Sequence, residues 1–351
     1  MDKYSELILA AGHSTTKDKH AHIKCCLKMD VEASVTTGLE KYDLINNALP
    51  DLDFDKIDIS SSFLGKSLSA PFIILPMTGG TDLSKKINMN LAQAAQELGV
   101  VMSVGSQKLA LEDPSLAGTY QIRKYAPDVP LLANLGAIYL NYGYGLEECE
   151  RAVEMIEADA LVLYLNHMQR VFQNGGKLNF RGIAEKIAEI CENLSVPVIV
   201  KDIGCGISPK AAKILVESRV QIIDVSGAGG TSWVKVTRLI NNDFDDSEPS
   251  YFDNWGISTA EALTEASKVV NKTPLIASGG IRSGVDIAKA VALGADYAGM
   301  ALPLLPPALK SPEDVIETIS RFIGELKIAM FGCGAENLDQ LKEEGRIGTI
   351  R

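Results

Sequence analysis

Long hydrophobic runs are missing from this sequence of 351 residues. Its longest apolar segments, such as residues 71–77 and 160–165, are strand-sized and far shorter than the ~20 residues that span a bilayer, so we expect no membrane span. Residues 1–20 also lack a basic segment followed by a long apolar core. We therefore expect no secretory signal and predict a cytoplasmic protein.

Regularly spaced cysteines and an excess of positive charge are also absent. The six cysteines include no CxxC pair, so we expect reduced, mostly buried thiols rather than disulfides or zinc ligands. The formal net charge of -11 argues against a nucleic-acid partner. A negative net charge does not exclude a local basic pocket that binds a phosphate group.

Short apolar runs alternate with longer amphipathic segments along most of the chain. Continuous apolar runs of strand length are typical of buried parallel strands. The segments between them, such as SKKINMNLAQAAQELG and SGVDIAKAVALGA, carry apolar residues at helical spacing. Eight strand-then-helix units predict an α/β fold of the (β/α)8 TIM-barrel type. The eight runs occupy residues 72–77, 100–105, 130–136, 160–166, 197–204, 220–227, 274–280 and 297–301.

A doubly wound open sheet is the structural alternative. The barrel is favoured because the runs number eight and because polar or glycine residues recur where each run ends. We predict that residues 1–70 form an N-terminal extension with a helix and a hairpin that packs on the barrel. Residues 71–351 are then the barrel domain, closed by a helical segment at residues 308–340.

The carboxyl ends of the predicted strands carry small, amide and hydroxyl residues, and this rim is where TIM barrels hold their active sites. In GGIRSG, after the seventh strand, glycines let backbone N–H groups approach an anion, and Arg282 adds charge. An ordinary tight turn is the alternative for this loop alone. Together with GAGGTS and Lys201 at the end of the fifth strand, it predicts a phosphate-bearing cofactor. FMN would use these parts, with Lys201 stabilising the reduced, anionic flavin.

The sequence contains the motifs MTGG, SVGSQ, ANLGA, VKDIGCGIS, DVSGAGGTSW, WGIST and IASGGIRSGVDIAKAVALGA. They resemble those of the type 2 isopentenyl-diphosphate isomerases, which are flavoenzymes with an FMN-binding TIM barrel. The resemblance runs from about His22 to the C-terminal segment. It implies isomerisation of isopentenyl to dimethylallyl diphosphate with reduced FMN, NADPH as reductant and Mg²⁺. The predicted cofactor-binding residues are Met77, Thr78, Gly79, Ser106, Asn134, Lys201, Ser226, Gly227, Thr231, Gly279, Gly280, Arg282, Gly299 and Ala301.

The segment LYLNHMQRVFQNGGKLNF, residues 163–180, resembles the family motifs HLNPLQE and QPEGD. The resemblance implies catalytic roles for Asn166 and Gln173 and for Tyr164, which replaces an imidazole with a phenol of unperturbed pKa ~10. Gly175 stands where the family has the glutamate that coordinates magnesium. We therefore assign no metal ligand, and the use of Mg²⁺ stays open.

Other positions that the resemblance assigns to the substrate are also altered. Lys108 replaces an arginine and offers charge without a bidentate fork, and Asp18 replaces an arginine beside Lys19. Asp18 would repel a diphosphate if it faced the pocket; a solvated position in the terminus is the alternative. The predicted substrate-binding residues are Lys19, His22, Lys108, Gln169 and Trp233.

Isopentenyl-diphosphate isomerisation, with reduced flavin as the acid–base catalyst, is the predicted function. The alternatives are a diverged flavoenzyme that acts on another isoprenoid or alkene and, below it, a non-catalytic flavin-binding protein. An α-hydroxy-acid oxidase is a more distant alternative, because the strand ends supply no histidine with an arginine pair. The expected partner is a small isoprenoid. The resemblance also implies a homo-oligomer, either a tetramer or an octamer.

Overall fold

Eight parallel strands form a closed barrel, so the predicted TIM-barrel fold is confirmed. The computed structural model describes residues 14–242, 245–247 and 250–350, with side chains from residue 19 onward. Each strand pairs with its neighbours in chain order, and β8 closes the barrel on β1. The strands are β1 (Phe72–Ile74), β2 (Val101–Ser103), β3 (Leu131–Gly136), β4 (Ala160–Tyr164), β5 (Val198–Lys201), β6 (Ile222–Asp224), β7 (Leu275–Ala277) and β8 (Tyr297–Met300).

Helices follow the strands and surround the barrel. Several begin with a hydroxyl cap at the end of the loop that follows a strand: the side chain of Thr81 accepts a hydrogen bond from the backbone of Ser84, and Ser283 accepts one from the backbone of Asp286. The rim is therefore lined by helix N-termini. The helices are α1 (Ser14–Lys28), α2 (Asp82–Leu98), α3 (Lys108–Glu112), α4 (Leu146–Ile156), α5 (His167–Phe172), α6 (Ile183–Asn193), α7 (Pro209–Glu217), α8 (Trp233–Asn241), α9 (Thr259–Ser267), α10 (Gly284–Ala292), α11 (Leu305–Ala308), α12 (Pro312–Cys333) and α13 (Leu338–Leu341).

A hairpin closes the N-terminal mouth of the barrel. Its strands, Ser61–Phe63 and Lys66–Leu68, pair antiparallel. Phe63 is fully buried and packs edge-on against Tyr297 with ring centroids 5.0 Å apart, and the Tyr297 hydroxyl donates to the Ser62 carbonyl at 2.6 Å. Burying one such aromatic side chain stabilises the fold by roughly 1.5–3 kcal/mol. The hairpin leaves the opposite, C-terminal mouth of the barrel open, so a ligand can bind there.

The segment before the barrel also reaches the C-terminal mouth. Helix α1 packs against α8, and its Cys25 shares an apolar cluster with Val31, Val236 and Leu239. A short strand, Tyr42–Leu44, pairs with Ile347–Thr349 near the other end of the chain. The predicted boundary at residue 70 stays a prediction. Within the described ranges, no helix is long and apolar enough to cross a membrane.

Register places chemically active residues side by side at the C-terminal rim. Gly136 of β3 is paired with Tyr164 of β4, Tyr164 with Lys201 of β5, and Lys201 with Asp224 of β6. Because these residues end neighbouring parallel strands, they lie next to one another at the C-terminal rim of the barrel. This row forms the base of the candidate site.

Candidate active site

A cavity of about 370 Å³ opens at the C-terminal mouth of the barrel, within the size range of small-molecule sites. Loops after most of the strands line it, and α1 covers one side. The structure brings nearly all predicted site residues together there. Those that line the cavity are Lys19, His22, Met77, Thr78, Ser106, Lys108, Asn134, Tyr164, Asn166, Gln169, Gln173, Lys201, Ser226, Thr231, Trp233, Gly279, Gly280, Arg282, Gly299 and Ala301.

Two predicted cofactor-binding glycines do not line the cavity. A Cβ on Gly79 would lie 1.9 Å from the ring of Tyr120, and one on Gly227 would lie 2.3 Å from the Cα of Thr259. Both glycines allow close packing behind the cavity wall, so the structure gives them a packing role. Their assignment as cofactor-binding residues stays a prediction, because a motif does not reveal which side of the backbone faces a ligand.

Backbone packs against backbone where the loops after β6 and β7 meet. A Cβ on Gly280 would lie 2.3 Å from the carbonyl oxygen of Gly229, and one on Gly230 would lie 2.3 Å from the Gly280 nitrogen. Gly279 and Gly280 have φ of 96° and 78°, which side chains rarely adopt. This arrangement of bare peptide groups, called here the glycine cradle (residues 229–230 and 279–280), suits close approach of a phosphate.

Arg282, which follows the glycine cradle, already has a carboxylate partner. Its guanidinium donates two hydrogen bonds to Glu32, in the segment after α1. Glu32 itself is held by a bridge to Thr231. Glu32 therefore partly neutralises the charge of Arg282. An anion at this place would be bound mainly by the backbone N–H groups of the glycine cradle.

Lys201 sits at the base of the cavity in a buried polar network. Its ammonium lies 3.7 Å from a carboxylate oxygen of Asp224 and 3.3 Å from the Ser226 hydroxyl, and it also donates to the Asp202 carbonyl. Burial raises the pKa of the Asp224 carboxyl, and Lys201 opposes that shift. The Ser278 hydroxyl also donates to the Asp224 carboxylate at 2.6 Å, so this carboxylate is held rigidly.

One buried amide in the cavity wall has no partner for its donor. Asn134 is almost completely buried, its Nδ2 makes no hydrogen bond, and its backbone N–H donates to the Gln107 side chain at 2.9 Å. A buried amide without a partner is unfavourable unless a ligand satisfies it. Asn134, Lys201 and the glycine cradle together fit a flat, polar-edged group that carries a phosphate.

A cluster of cations and tyrosines forms the wall on the side of β2, β3 and β4. Arg170 of α5 donates to the Tyr139 hydroxyl at 2.5 Å and to the Gln173 side-chain oxygen at 3.0 Å. Tyr164 approaches the Ser106 hydroxyl at 3.4 Å, and burial followed by the neighbouring Tyr139 raises the pKa of its phenol. Tyr164 is therefore a neutral hydrogen-bonding group at neutral pH.

Sequence reasoning missed Arg170, and for the tyrosines of residues 138–145, which include Tyr139, it left open a place at the pocket mouth or in an oligomer contact. Tyr139 lies in a turn after β3 and Arg170 in α5, so only the register of β3 and β4 brings them together. A signal was present: in the segment similar to HLNPLQE and QPEGD, Arg170 and Lys177 stand where those motifs have acidic residues. Two carboxylates of the motif are thus replaced by cations.

Asn166 and Gln169 form a pair beside this cluster. The Asn166 Nδ2 donates to the Gln169 side-chain oxygen at 3.0 Å, while the Asn166 Oδ1 is buried without a partner. Gln173 is exposed at the cavity mouth. These amides offer both donors and acceptors to a ligand without adding charge.

Helix α1 brings His22 and Lys19 to the opposite side of the cavity. Burial and the charge of Lys19 lower the pKa of His22 to about 4, so its imidazole is neutral near pH 7. The His22 ring packs edge-on against Trp233 with centroids 5.6 Å apart. His22 can therefore donate a hydrogen bond to a ligand, but it does not supply charge at neutral pH.

The described residues do not offer the usual ligands of a divalent cation. None of the described residues lining the cavity is Asp or Glu, and no group of three or more His, Cys, Asp or Glu is placed to hold a metal ion in the described part of the chain. Asp202 accepts hydrogen bonds from the backbone of Gly204, Cys205 and Gly206. Its carboxylate is therefore occupied.

A second groove, of about 420 Å³, lies in the outer layer next to α2 and α4. Its Arg123 is already bound to Asp159 at 2.8 Å and to several carbonyls. The groove lacks the glycine loops and unpartnered amide of the barrel mouth. We therefore assign the chemistry to the cavity at the C-terminal rim.

Comparison with known proteins gives a family and close relatives. The model of the FMN-dependent dehydrogenase family matches residues 28–117 and 162–347. A Nostoc protein named isopentenyl-diphosphate delta-isomerase is 47% identical over 339 residues, which cover 96% of this chain and 97% of that protein. Proteins of the same name from Oceanobacillus iheyensis and Synechocystis are 45% and 46% identical, covering 95% and 94% of this chain and 96% and 95% of theirs.

Solved structures of similar fold include a lactate oxidase and a mandelate oxidase with an FMN adduct. A lactate oxidase of Pediococcus acidilactici superposes with a TM-score of 0.65 at 18% identity, covering 94% of this chain and 87% of that one. A mandelate oxidase also gives a TM-score of 0.65 at 18% identity, covering 94% and 95% of the two chains. At this level of identity the likeness concerns the fold alone.

Proposed function

Because the chain belongs to the isopentenyl-diphosphate delta-isomerase family, we propose that it interconverts isopentenyl and dimethylallyl diphosphate with reduced FMN. The family predicted from the sequence motifs is confirmed by relatives up to 47% identical over nearly the whole chain. The observation that carries the proposal is one cavity with two unlike sides. The glycine cradle suits a cofactor phosphate, and the cations and amides near β2 to β4 suit an anionic substrate.

FMN is the cofactor of this family, and the cavity has parts that fit it. The glycine cradle would hold the phosphate, the unpartnered Asn134 amide would bind the flavin edge, and Lys201 would lie near the part of the ring that gains negative charge on reduction. Bound FMN in its reduced form supplies a group that can carry protons without leaving the cavity.

Isomerisation adds a proton to one end of the alkene and removes one from the neighbouring allylic carbon, with no net change in oxidation state. In our proposal, Gln173 positions the alkene, and Arg170 fixes that amide by binding its oxygen at 3.0 Å. Asn166 and Gln169 orient the substrate, and Tyr164 remains a neutral donor. Trp233 and His22 shield the reacting carbons from water on the α1 side.

Three further parts of the proposal go beyond the family assignment. NADPH is the proposed reductant of the flavin, and the proposed assembly is a homo-oligomer, a tetramer or an octamer. A cytoplasmic location likewise remains a prediction from the sequence. Mg²⁺ is treated separately below, because the residues at its expected position do not suit it.

A hydroxy-acid oxidase is the competing flavin chemistry, since proteins of that activity share the fold. The structure brings His22 and Arg170 to one cavity, although neither lies at a strand end. We favour isomerisation because relatives at 45–47% identity carry that name, whereas the oxidases are similar at 18%.

An anaerobic assay tests the proposal. Purified protein loaded with FMN is given isopentenyl diphosphate with NADPH, or with dithionite as a chemical reductant, and formation of dimethylallyl diphosphate is followed. We expect turnover with reduced FMN and none with oxidised FMN. Protein that binds and reduces FMN fully but forms no dimethylallyl diphosphate would contradict the proposal and favour a different alkene substrate.

A further inference from the structure

Three cations surround a single tyrosine ring in the cavity wall. The Arg170 guanidinium carbon lies 4.8 Å from the centroid of Tyr139, the Lys108 ammonium 5.4 Å and the Lys177 ammonium 5.7 Å. Such contacts are attractive because the face of the ring is electron-rich. These three cations are called here the Tyr139 cluster. Lys108 begins α3 after β2, whereas Arg170 in α5 and Lys177 just beyond α5 both belong to the segment after β4.

The positive charge of the Tyr139 cluster is poorly balanced by the protein. Lys108 forms an ion pair with Glu112 at 2.5 Å. Among the residues that the structure describes, no carboxylate lies within ion-pair distance of Arg170 or Lys177. Within the described ranges, two of the three cations therefore have no protein counter-charge, which favours binding of an anion that brings one.

Arg170 is the strongest of these groups. Its side chain is 6% exposed, lines the cavity and leaves its Nε without a hydrogen-bond partner. A buried guanidinium is unfavourable unless acceptors or an opposite charge satisfy it. A ligand oxygen beside Nε would satisfy both the charge and the donor.

The residues nearby do not fit a magnesium ion. Gly175 has no side chain, the cavity lining includes no carboxylate among the described residues, and Asp202 is occupied by three backbone N–H groups. Mg²⁺ at a phosphate site is usually held by one or two carboxylates together with phosphate oxygens and water. Arg170 and Lys177 would instead repel a free cation.

We propose that the Tyr139 cluster binds the diphosphate of the substrate directly, so that this protein needs no divalent cation for substrate binding. This inference rests on the proposed function for the identity of the anion. The Arg170 guanidinium donates hydrogen bonds to phosphate oxygens, while Lys108 and Lys177 add positive charge next to the Tyr139 ring. Mg²⁺ in solution would reduce the charge of the diphosphate and so compete with the cluster.

Binding of inorganic pyrophosphate to the FMN-loaded protein tests this inference independently of turnover. Calorimetry is performed in EDTA and again with excess Mg²⁺, and isopentenyl diphosphate is then titrated in the same way. We expect binding in EDTA that is at least as tight as with Mg²⁺ and that weakens as salt is added. Binding seen only with Mg²⁺ would overturn the inference.

Variants locate the binding site. Arg170→Met should weaken pyrophosphate binding in EDTA by about tenfold to a hundredfold, because a charge-assisted hydrogen-bond donor is lost. Lys177→Gln, at an exposed position, should weaken it by about threefold without affecting folding. Lys124→Gln is the matched control, since Lys124 is also exposed and lies over a tyrosine ring, at 4.8 Å from Tyr125, but lines the separate groove next to α2 and α4.

Failure of the inference and failure of the proposed function can be told apart. Tight binding of pyrophosphate in EDTA without turnover would retain the cluster and reject isomerisation. Turnover that requires Mg²⁺, with equal pyrophosphate affinity in Arg170→Met, Lys177→Gln and the control, would retain isomerisation and reject the cluster. If Arg170→Met no longer binds FMN, pyrophosphate binding in EDTA is measured with Arg170→Lys and Lys177→Gln instead. Both variants keep the packing largely intact, so a loss of affinity in them reports on the cluster itself.

Discussion

The two sides of the cavity are built in different ways. On the side of β6 to β8, the glycine cradle forms a surface from peptide groups that lie so close that a Cβ would overlap another loop. On the side of β2 to β4, side chains form the surface: Lys108, Tyr139, Tyr164 and Arg170. The first side depends on the backbone path, and the second depends on which residues the loops carry.

This difference explains why the departures from the family motifs at Lys108, Tyr164 and Gly175 lie on the β2-to-β4 side. Replacing a glycine in the cradle would force two loops apart, so the cofactor side tolerates little change. The loops after β3 and β4 can exchange one side chain for another without moving the barrel strands. A change from carboxylates to cations can therefore alter how an anion is held while the flavin site keeps its shape.

From the comparison of the two sides of the cavity, we expect the largest loss of stability when a glycine of the cradle is replaced by alanine. In Gly279→Ala, the Cβ would lie 2.0 Å from the carbonyl oxygen of Gly227, and the residue would keep φ of 96°. We expect a loss of about 2–5 kcal/mol in the free energy of unfolding and loss of FMN binding. Urea unfolding and flavin fluorescence titration measure the two effects.

Gly143→Ala is the matched control for this substitution. Gly143 has a similar φ of 94°, but nothing lies within 4 Å of a Cβ there. It should lose only about 1–2 kcal/mol, the cost of the backbone conformation, and should keep FMN. Equal losses in the two variants would show that close packing of the loops is not what makes the cradle rigid.

The second largest effect is expected at Lys201. Lys201→Ala leaves Asp224 buried without its cation, which should cost about 3–5 kcal/mol at pH 8 and most of the activity. Burial raises the pKa of Asp224, and removing Lys201 would raise it further. A carboxyl whose folded pKa is raised loses stability as pH rises, so the penalty should be smaller at pH 5 than at pH 8.

The double variant Lys201→Met with Asp224→Asn separates stability from function. It removes both charges while keeping side chains of similar size, so it should recover much of the free energy of unfolding without recovering turnover. Denaturation at the two pH values and the anaerobic assay measure these outcomes. Full activity in Lys201→Ala would contradict the electrostatic role of Lys201 toward the flavin.

The barrel was predictable because its strands are continuous apolar runs and its glycine loops are contiguous motifs. The run at residues 220–227, for example, contains both β6 and the start of the loop that reaches the cradle. Local sequence holds the information for such features, since hydrophobic periodicity and glycine positions act within a few residues.

The Tyr139 cluster could not be predicted in the same way, because its members are far apart in sequence. Tyr139 and Arg170 meet through the register of β3 and β4, and the burial that makes His22 neutral depends on how α1 packs on Trp233. The roles of Gly79 and Gly227 also depended on which side of the backbone faces the cavity. These are three-dimensional relationships that no short motif specifies.

A carboxylate added to the β2-to-β4 side should restore a dependence on metal. In Gly175→Glu, we expect binding of isopentenyl diphosphate to become tighter when Mg²⁺ is added. Nothing lies within 4 Å of a Cβ at residue 175, but its φ of 67° should cost about 1–2 kcal/mol in stability. Calorimetry with and without Mg²⁺ measures the change.

Gly175→Gln controls for the added volume and the backbone cost. It should show the same loss of stability and no gain of Mg²⁺-dependent affinity, because its amide is a poor ligand for this ion. If neither variant changes the Mg²⁺ response, residue 175 lies too far from the bound diphosphate, and its match to the family's glutamate gives no information about the site.

The smallest effect is expected when Tyr164 is changed to the imidazole of the family motif. The raised pKa of Tyr164 means that its hydroxyl does not titrate between pH 6 and 9 in the unmodified protein. In Tyr164→His, burial beside Arg170 should hold the imidazole neutral, with a pKa below its usual ~6.5. Below that pH the unfolded chain binds an extra proton, so stability should fall as the solution becomes more acidic.

Tyr164→Phe removes the hydroxyl near Ser106 without adding a titrating group. Its turnover should fall by less than about tenfold and show no new dependence on pH, because one neutral hydrogen bond contributes only about 0.5–1.5 kcal/mol. The comparison of pH–rate and pH–stability profiles for the two variants isolates the imidazole. If Tyr164→Phe loses all activity, the phenol takes part in proton transfer, and the β2-to-β4 side supplies chemistry as well as charge.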